Sequence, residues 1–518
     1  MLNERLTRMR NKLFDSRPCI TAERLVLETE AYQKFAGEAT PIFRAKVVKY
    51  IMEHMTTLIM DDELIVGTPT NKYRGANLHP EFQSSTEFYL PELDAFPLRK
   101  TDPYDISPED RELILKTLPY WEGKSMQDMS KKALPADILE RIHDDIITVG
   151  LTNGVSGETT CDHEKLLAVG LKGYIDECRE NIRNTLCSSK EDQQRVDYWN
   201  ACIIQCEGLI EYAHRMAVEA ERQAAACTDP KRKQELLTVA ANCRVVPENP
   251  PQTFQQALQL VWFVHVYFHI EVCTTANGFG RFDQYMWPFY EKDVLLEKNI
   301  TKDEALEMLE CFYLKACEVF EVRDKWYATS FAGYPMWELL VVGGQTPEGK
   351  DATNELSYVC LDAASELKTT QPVMAVRVWD GTPEELIRKG CLMIQDGQAN
   401  PGFFNDNVAM QMALGKGCSM EEARDWTIVG CIQPGPGGGT ADGSPDAGYV
   451  NMGKMLEFVL HNGVDPETGK LMGLQTGDPR EFRNIEELKD ALKKQILHHY
   501  KMVTTGYNIM QSMHMTRY

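Results

Sequence analysis

The run Thr427-Ile428-Val429-Gly430-Cys431-Ile432-Gln433-Pro434-Gly435-Pro436-Gly437-Gly438-Gly439 constrains this chain more than any other stretch. Its β-branched start favours extended backbone, and the prolines and glycines that follow forbid the strand to continue. The pattern predicts a rigid strand that carries one thiol, Cys431, to the tip of an irregular loop. A cysteine kept only for packing needs no such mounting.

An ionic cysteine nucleophile needs a base and an electropositive setting that lowers its pKa. Around Cys431 the sequence offers Gln433 and, farther on, Asp442 and Asp446, with no adjacent histidine or lysine. Such a setting suits a neutral S–H, which exchanges a hydrogen atom rather than a proton. Radical work of this kind needs a cofactor or stored radical to begin it, and exclusion of water and oxygen. The rival reading, an ionic cysteine hydrolase, predicts rapid alkylation of Cys431 at neutral pH.

With 518 residues, 43% hydrophobic and 25% charged, the chain can bury a large core. No low-complexity linker or internal repeat divides it, so one catalytic unit over residues 1–518 is expected. The net charge of -22 argues against nucleic acid and against an anionic membrane surface. Short basic clusters such as Lys231-Arg232-Lys233 read as solvated helix faces. The opening Met1-Leu2-Asn3-Glu4-Arg5 is no signal peptide, and the apolar stretch at 258–267 is too short to span a bilayer. Fifteen cysteines without a secretion signal predict free thiols and a cytoplasmic address.

Residues 1–270 read mainly as helix. Leu209, Ile210, Ala213, Met216, Ala217 and Ala220 recur at helical spacing, and a further helix is predicted to begin after Asp162. Residues 271–518 are richer in strands, among them Leu339-Leu340-Val341-Val342, ending at Gly343-Gly344, and the run from Val373 to Trp379. Helical segments at 383–394 and 420–426 alternate with them, which gives an α/β class.

Several patterns lead elsewhere. His265 and His269 stand four apart on a predicted helix, a spacing that puts both rings on one face for a metal. Their neighbours Val264, Val266, Tyr267, Phe268 and Ile270 favour a buried aromatic helix instead. Cys202 and Cys206 lack a second thiol pair to complete a tetrahedral site, so no metal is expected. The glycines at 435–439 lack the lysine of a phosphate loop, and Gly278-Phe279-Gly280 is too short for a dinucleotide fingerprint.

Over essentially its whole length the chain resembles the glycyl radical enzymes, the pyruvate formate-lyase-like family. The resemblance rests on Gly430-Cys431-Ile432-Gln433-Pro434, Pro401-Gly402-Phe403-Phe404-Asn405-Asp406, Val342-Gly343-Gly344-Gln345 and Asp351-Ala352-Thr353-Asn354-Glu355-Leu356. Gly280-Arg281-Phe282-Asp283-Gln284-Tyr285 with Pro288-Phe289-Tyr290, and Val246-Pro247-Glu248-Asn249-Pro250, add two more blocks. The resemblance implies a ten-stranded α/β barrel of two half-barrels wrapped in helices, with the cysteine finger at its centre. Cys431 would become a thiyl radical, take hydrogen from the substrate and return it to the product. The initiating glycyl radical would be installed by a partner iron–sulfur, S-adenosylmethionine-dependent activating enzyme.

Two departures from the family shape the expectation. Relatives carry the radical glycine in an Arg-Val-x-Gly-Tyr/Phe motif near the C-terminus, and Val503-Thr504-Thr505-Gly506-Tyr507 lacks the arginine. The first half of the barrel is therefore expected here, with a separate chain supplying the second half and the glycyl radical, or with the sequence a truncated product. Relatives that eliminate water or amines also place glutamate where Gln433 stands, and glutamine cannot take a proton at neutral pH.

The expectation is thus an anaerobic, cytoplasmic lyase that breaks or forms carbon–carbon bonds, by decarboxylation or alkene addition. The alternatives are a dehydratase or C–X lyase of the same family, or a catalytically silent scaffold; a homo-oligomer is compatible with any of them. By position in the resembling blocks, Cys431 and Gln433 are the expected catalytic residues. Glu158, Phe331, Trp337, Ser444 and Asp446 are expected to contact substrate. Phe331, Tyr334, Trp337 and Phe403 facing inward together would make the cavity apolar.

Overall fold

The computed structural model describes residues 2–150, 158–273, 275–430, 432–437, 439–442 and 447–517. The chain packs into two units, one of Met1–His79, Pro91–Tyr120 and Gly157–Asp442, the other of Pro80–Leu90, Trp121–Ser156 and Gly443–Tyr518. Each is assembled from segments far apart in sequence, so no linker composition marks the division.

The first unit holds every strand found among the described residues. These are β1 (Cys19–Thr21), β2 (Gly75–Asn77), β3 (Asp105–Ile106), β4 (Glu158–Thr160), β5 (Asn277–Gly278) and β6 (Phe320–Glu321). They continue with β7 (Leu339–Gly343), β8 (Val373–Val378), β9 (Gly402–Asn405), β10 (Thr427–Val429), β11 (Gln433–Gly435) and β12 (Thr440–Asp442). Strands β1 to β4 fall in the region read as mainly helical, because two or three residues leave no alternating pattern to detect.

Strands β7, β8 and β9 form a parallel sheet crossed by the helices Glu355–Leu367 and Glu384–Gln395. β7 is buried at all five positions, as a parallel strand covered on both faces must be. A second parallel sheet runs β3-β1-β2-β6, and β4 lies between β5 and β12 in a third. The strand–helix alternation predicted for this region is observed.

Helices pack around these sheets. Asp162 caps the helix His163–Asn184 through Lys165 N at 3.0 Å, starting it where the sequence predicts. The 37-residue helix Lys190–Ala226 opens with a capping box of Ser189 and Asp192 and buries Leu209, Ala213, Met216, Ala217 and Ala220 against its neighbours. The helix Phe254–Glu271 is buried on almost every face, with Trp262 Nε1 donating to the Gly67 carbonyl at 2.9 Å. The segment at 420–426 is helical only over Met420–Arg424, because Trp426 turns into the core ahead of β10.

The second unit is helical. Met126–Ala133, Ala136–His143, Met452–Leu460 and Ile485–Arg517 are its principal helices, and the Phe458 ring stacks on His499 at 5.5 Å between centroids. Val503 to Tyr507 lies within the last of these helices, so the superficially family-like Gly506 sits in helix body, close to Val149. No helix among the described residues is long and apolar enough to cross a membrane.

Candidate active site

β10 and β11 make an antiparallel hairpin in which Val429 faces Gln433, Ile428 faces Pro434 and Thr427 faces Gly435. The predicted strand is present, but the irregular backbone expected after it is, over Gln433–Gly435, a return strand, because pairing with β10 holds these residues extended. β10 is wholly buried, and Ile428 packs in an apolar cluster with Leu339, Val341, Ala375, Ala409 and Trp426. Thr160 of β4 donates its hydroxyl to the Ile428 carbonyl at 3.3 Å, tying the finger to the neighbouring sheet. Ile432, at the tip, is 68% exposed.

Gly430 carries the turn with φ +72°, in the left-handed region that glycine adopts without cost. A side chain here would also run into the Glu158 carboxylate, which occupies the space a Cβ would need. This close approach places a carboxylate against the residue that precedes Cys431. Glu158 is half-buried on β4, where the register sets it opposite Asp442 of β12. Gln433 is half-buried at the start of the return strand. Cys431, Ser444 and Asp446 lie outside the described residues.

A buried polar hub stands directly before the finger. Arg377 of β8 donates Nε to Asp406 Oδ1 at 2.6 Å, and its two terminal nitrogens reach the carbonyls of Trp426 at 2.8 Å and Arg424 at 2.7 Å. Asp406 also accepts from Trp426 Nε1 at 2.7 Å and Gln345 Nε2 at 2.9 Å. Burial and the nearby Arg281 lower the Arg377 pKa to about 10, against the pull of Asp406. Gly344 is needed because a Cβ there would strike the Arg377 guanidinium. Arg281 donates to Asp425 Oδ1 at 2.8 Å and to the Gln345 carbonyl at 2.9 Å, while Asp283 accepts from Gly343 N at 2.8 Å and Ser357 Oγ at 2.5 Å. Several blocks that carried the resemblance thus meet in one place, where they fix the two residues that lead into β10.

The expected aromatic wall is split. Phe331 and Trp337 meet edge to face at 5.3 Å, and Tyr327 joins them at 5.1 Å and 6.1 Å. Tyr334 belongs instead to a group with Tyr104 and Phe320, at 5.4 Å and 5.3 Å. Phe403 lies beside Gly390 on the helix Glu384–Gln395. The four rings therefore do not line one face: Phe331, Tyr334 and Trp337 lie on the segment between the helix Lys325–Ser330 and β7, and Phe403 lies on β9.

The two histidines of Phe254–Glu271 are buried, as the sequence indicates, but they are not held by hydrocarbon alone. His265 Nε2 lies 2.9 Å from Glu338 Oε1, and His269 Nε2 lies 3.4 Å from the same oxygen. On its other side His269 Nδ1 lies 3.3 Å from Glu321 Oε1, and His79 Nε2 lies 3.0 Å from Glu321 Oε2. Burial disfavours the charged form of His269, yet its hydrogen bonds to Glu321 and Glu338 raise its pKa to about 9. Burial likewise opposes ionisation of Glu321, but His79 and His269 hold its pKa down to about 2. Sequence reading missed this group because Glu338 and Glu321 sit on strand ends more than fifty residues from the histidines.

Residues 2–518 match the family described as Pyruvate formate lyase-like. Isethionate sulfite-lyase of Nitratidesulfovibrio vulgaris is 35% identical over 97% of this chain and 62% of its own length. Trans-4-hydroxy-L-proline dehydratase of Clostridioides difficile is 32% identical over 96% of this chain and 62% of its own length. A solved structure concerned with 1,2-propanediol dehydration in Roseburia inulinivorans superposes with a TM-score of 0.96 at 33% identity, covering 100% of this chain and 64% of that one. The chain thus spans less than two thirds of the length of these relatives.

Proposed function

The chain belongs to the pyruvate formate lyase-like family of glycyl radical enzymes, and from that premise we propose that it is the cysteine-bearing part of a dehydratase or carbon–heteroatom lyase. The observation that carries this reading is the Glu158 carboxylate against Gly430, next to the cysteine. A carboxylate there supplies the proton acceptor that Gln433 cannot, which removes the argument against elimination. The named activities of the relatives, release of sulfite and of water, weigh the same way and displace decarboxylation or alkene addition as the leading reading.

The substrate class is a small polar molecule with a hydroxyl on the carbon next to the one bearing the leaving group. The Cys431 thiyl takes a hydrogen atom from the hydroxyl-bearing carbon and becomes a thiol. Glu158 accepts the hydroxyl proton as the neighbouring C–O or C–S bond breaks; sulfite leaves with the electron pair, and a leaving hydroxyl takes up the Glu158 proton and departs as water. The resulting carbon radical recovers a hydrogen atom from the thiol, which leaves a carbonyl product and the thiyl restored. Atoms and electrons balance without a further oxidant. Gln433 orients the substrate by hydrogen bonding.

The radical that oxidises Cys431 is a glycyl radical carried outside these 518 residues and installed by an S-adenosylmethionine, iron–sulfur activating enzyme. The reaction belongs in an anaerobic cytoplasm. The test is anaerobic co-production with glycyl-bearing and activating partners, followed by assays on isethionate and on 1,2-propanediol. A carbonyl product, released with sulfite or water, is expected. Turnover confined to carboxylate substrates, with carbon dioxide released, would overturn the reading in favour of decarboxylation.

A further inference from the structure

The geometry points to a divalent metal site formed by His265, His269 and Glu338, with Asn277 as a fourth donor. It is independent of the elimination chemistry proposed above. Among the described residues this is the group of metal-binding side chains that draws together, its three donor atoms lying within 4.8 Å of one another.

The separations suit an ion. Zinc–nitrogen and zinc–oxygen bonds of roughly 2.0–2.2 Å place neighbouring tetrahedral donors about 3.3 Å apart. Here His265 Nε2 and His269 Nε2 stand 2.9 Å and 3.4 Å from Glu338 Oε1. The two rings project from consecutive turns of a rigid buried helix, and Glu338, just before β7, is fixed by its backbone N–H donating to Gln371 Oε1 at 3.1 Å. All three residues are at most 4% exposed.

Two further observations make the group more than a histidine–carboxylate contact. Among the described residues Glu338 Oε2 and Asn277 Oδ1 are buried without a hydrogen-bond partner, in residues 0% and 1% exposed. Asn277 Nδ2 lies 3.5 Å from His269 Nε2, and a half-turn of the amide exchanges Nδ2 for Oδ1. A cation between the rings gives both oxygens a partner. Glu321 meanwhile faces the outer nitrogen of His269 at 3.3 Å, the carboxylate–histidine arrangement that orients a metal-bound imidazole and fixes its tautomer. His79 supports Glu321 in turn, at 3.0 Å. Two nitrogens with carboxylate and amide oxygens suit zinc, iron(II), cobalt(II) or manganese(II) rather than a hard alkaline-earth ion. The ion would bind the helix to the head of β7 and to β5, the strand beside β4 and its Glu158.

The test uses the full 518-residue chain, stripped with chelator, its thiols alkylated, and titrated with cobalt(II) and then zinc(II). One equivalent of cobalt per chain is expected, with visible ligand-field bands that zinc displaces and no thiolate-to-cobalt absorption. His265→Gln and Glu338→Gln should each weaken binding at least 100-fold. Glu321→Gln, which removes only the supporting carboxylate, should weaken it roughly 10- to 100-fold. Should the ligand variants fail to fold by circular dichroism, Asn277→Ala and Glu321→Gln carry the same reading. Less than one tenth of an equivalent bound, or binding that these variants leave unchanged, overturns the site and leaves a proton-bridged His–Glu network.

Discussion

Arg377 and Asp406 lie 2.6 Å apart with both side chains 0% exposed, and among the described residues their other hydrogen-bond partners belong to the approach to the cysteine finger or to the Gly-Gly turn after β7. A pair this deeply buried adds little net stability by itself. Its loss on one side is costly, because the remaining charge stays desolvated. Asp406→Asn should destabilise the fold by about 3–5 kcal/mol, measured by denaturant unfolding. An unchanged unfolding midpoint would show that the hub is dispensable.

The carboxylate beside Gly430 should matter to chemistry more than to folding. Glu158→Gln keeps the shape and removes the base, so kcat is expected to fall by roughly 10²–10⁴ with a much smaller change in KM. Gln433→Glu in that background should recover part of the rate, because a base returns two residues beyond Cys431. Equal kcat for Glu158→Gln and the parent enzyme would remove Glu158 from proton transfer.

Gly430→Ala combines a left-handed backbone with a collision at Glu158. The backbone conformation alone costs about 1–3 kcal/mol. The substitution should lower Tm and raise the alkylation rate of Cys431 in the folded protein, as the hairpin tip is displaced. A variant with parental Tm and parental alkylation would contradict the tight packing at this position.

Glu310 gives a pH dependence with a definite sign. Burial, with the neighbouring Glu366 adding to it, raises its pKa to about 8, and among the described residues its Oε1 is buried without a hydrogen-bond partner. The folded state therefore holds a proton that the unfolded chain, with an ordinary carboxyl near 4.5, has released. Stability from this group is full below the unfolded value and is lost as pH rises toward 8. Glu310→Gln should match the parent near pH 4.5 and exceed it by about 1–2 kcal/mol at pH 9. Parallel stability curves across that range would refute the assignment.

Legibility in the sequence followed the range of the forces involved. The β10 strand, the break at Gly430, the helix starting after Asp162 and the β7–β8 alternation are local, and propensity announces them. The role of Gly344 was invisible, since the guanidinium it accommodates belongs to a residue thirty-three positions on. The histidine spacing indicates a core helix, which burial supports, but the carboxylate partners of the two rings come from separate segments. Strands of two residues such as β5 and β6 exist through tertiary pairing alone, so no local pattern could reveal them.

The pairing of Val429 with Gln433 has a consequence for the length of the finger. Side chains alternate faces along a strand, so removing one residue between these partners would turn the whole return segment over. Gln433 would then point to the opposite face, while Pro434 took its place. Insertions and deletions at the tip should accordingly be far less tolerated than exchanges of its individual side chains, and a library built on this hairpin should vary letters, never spacing.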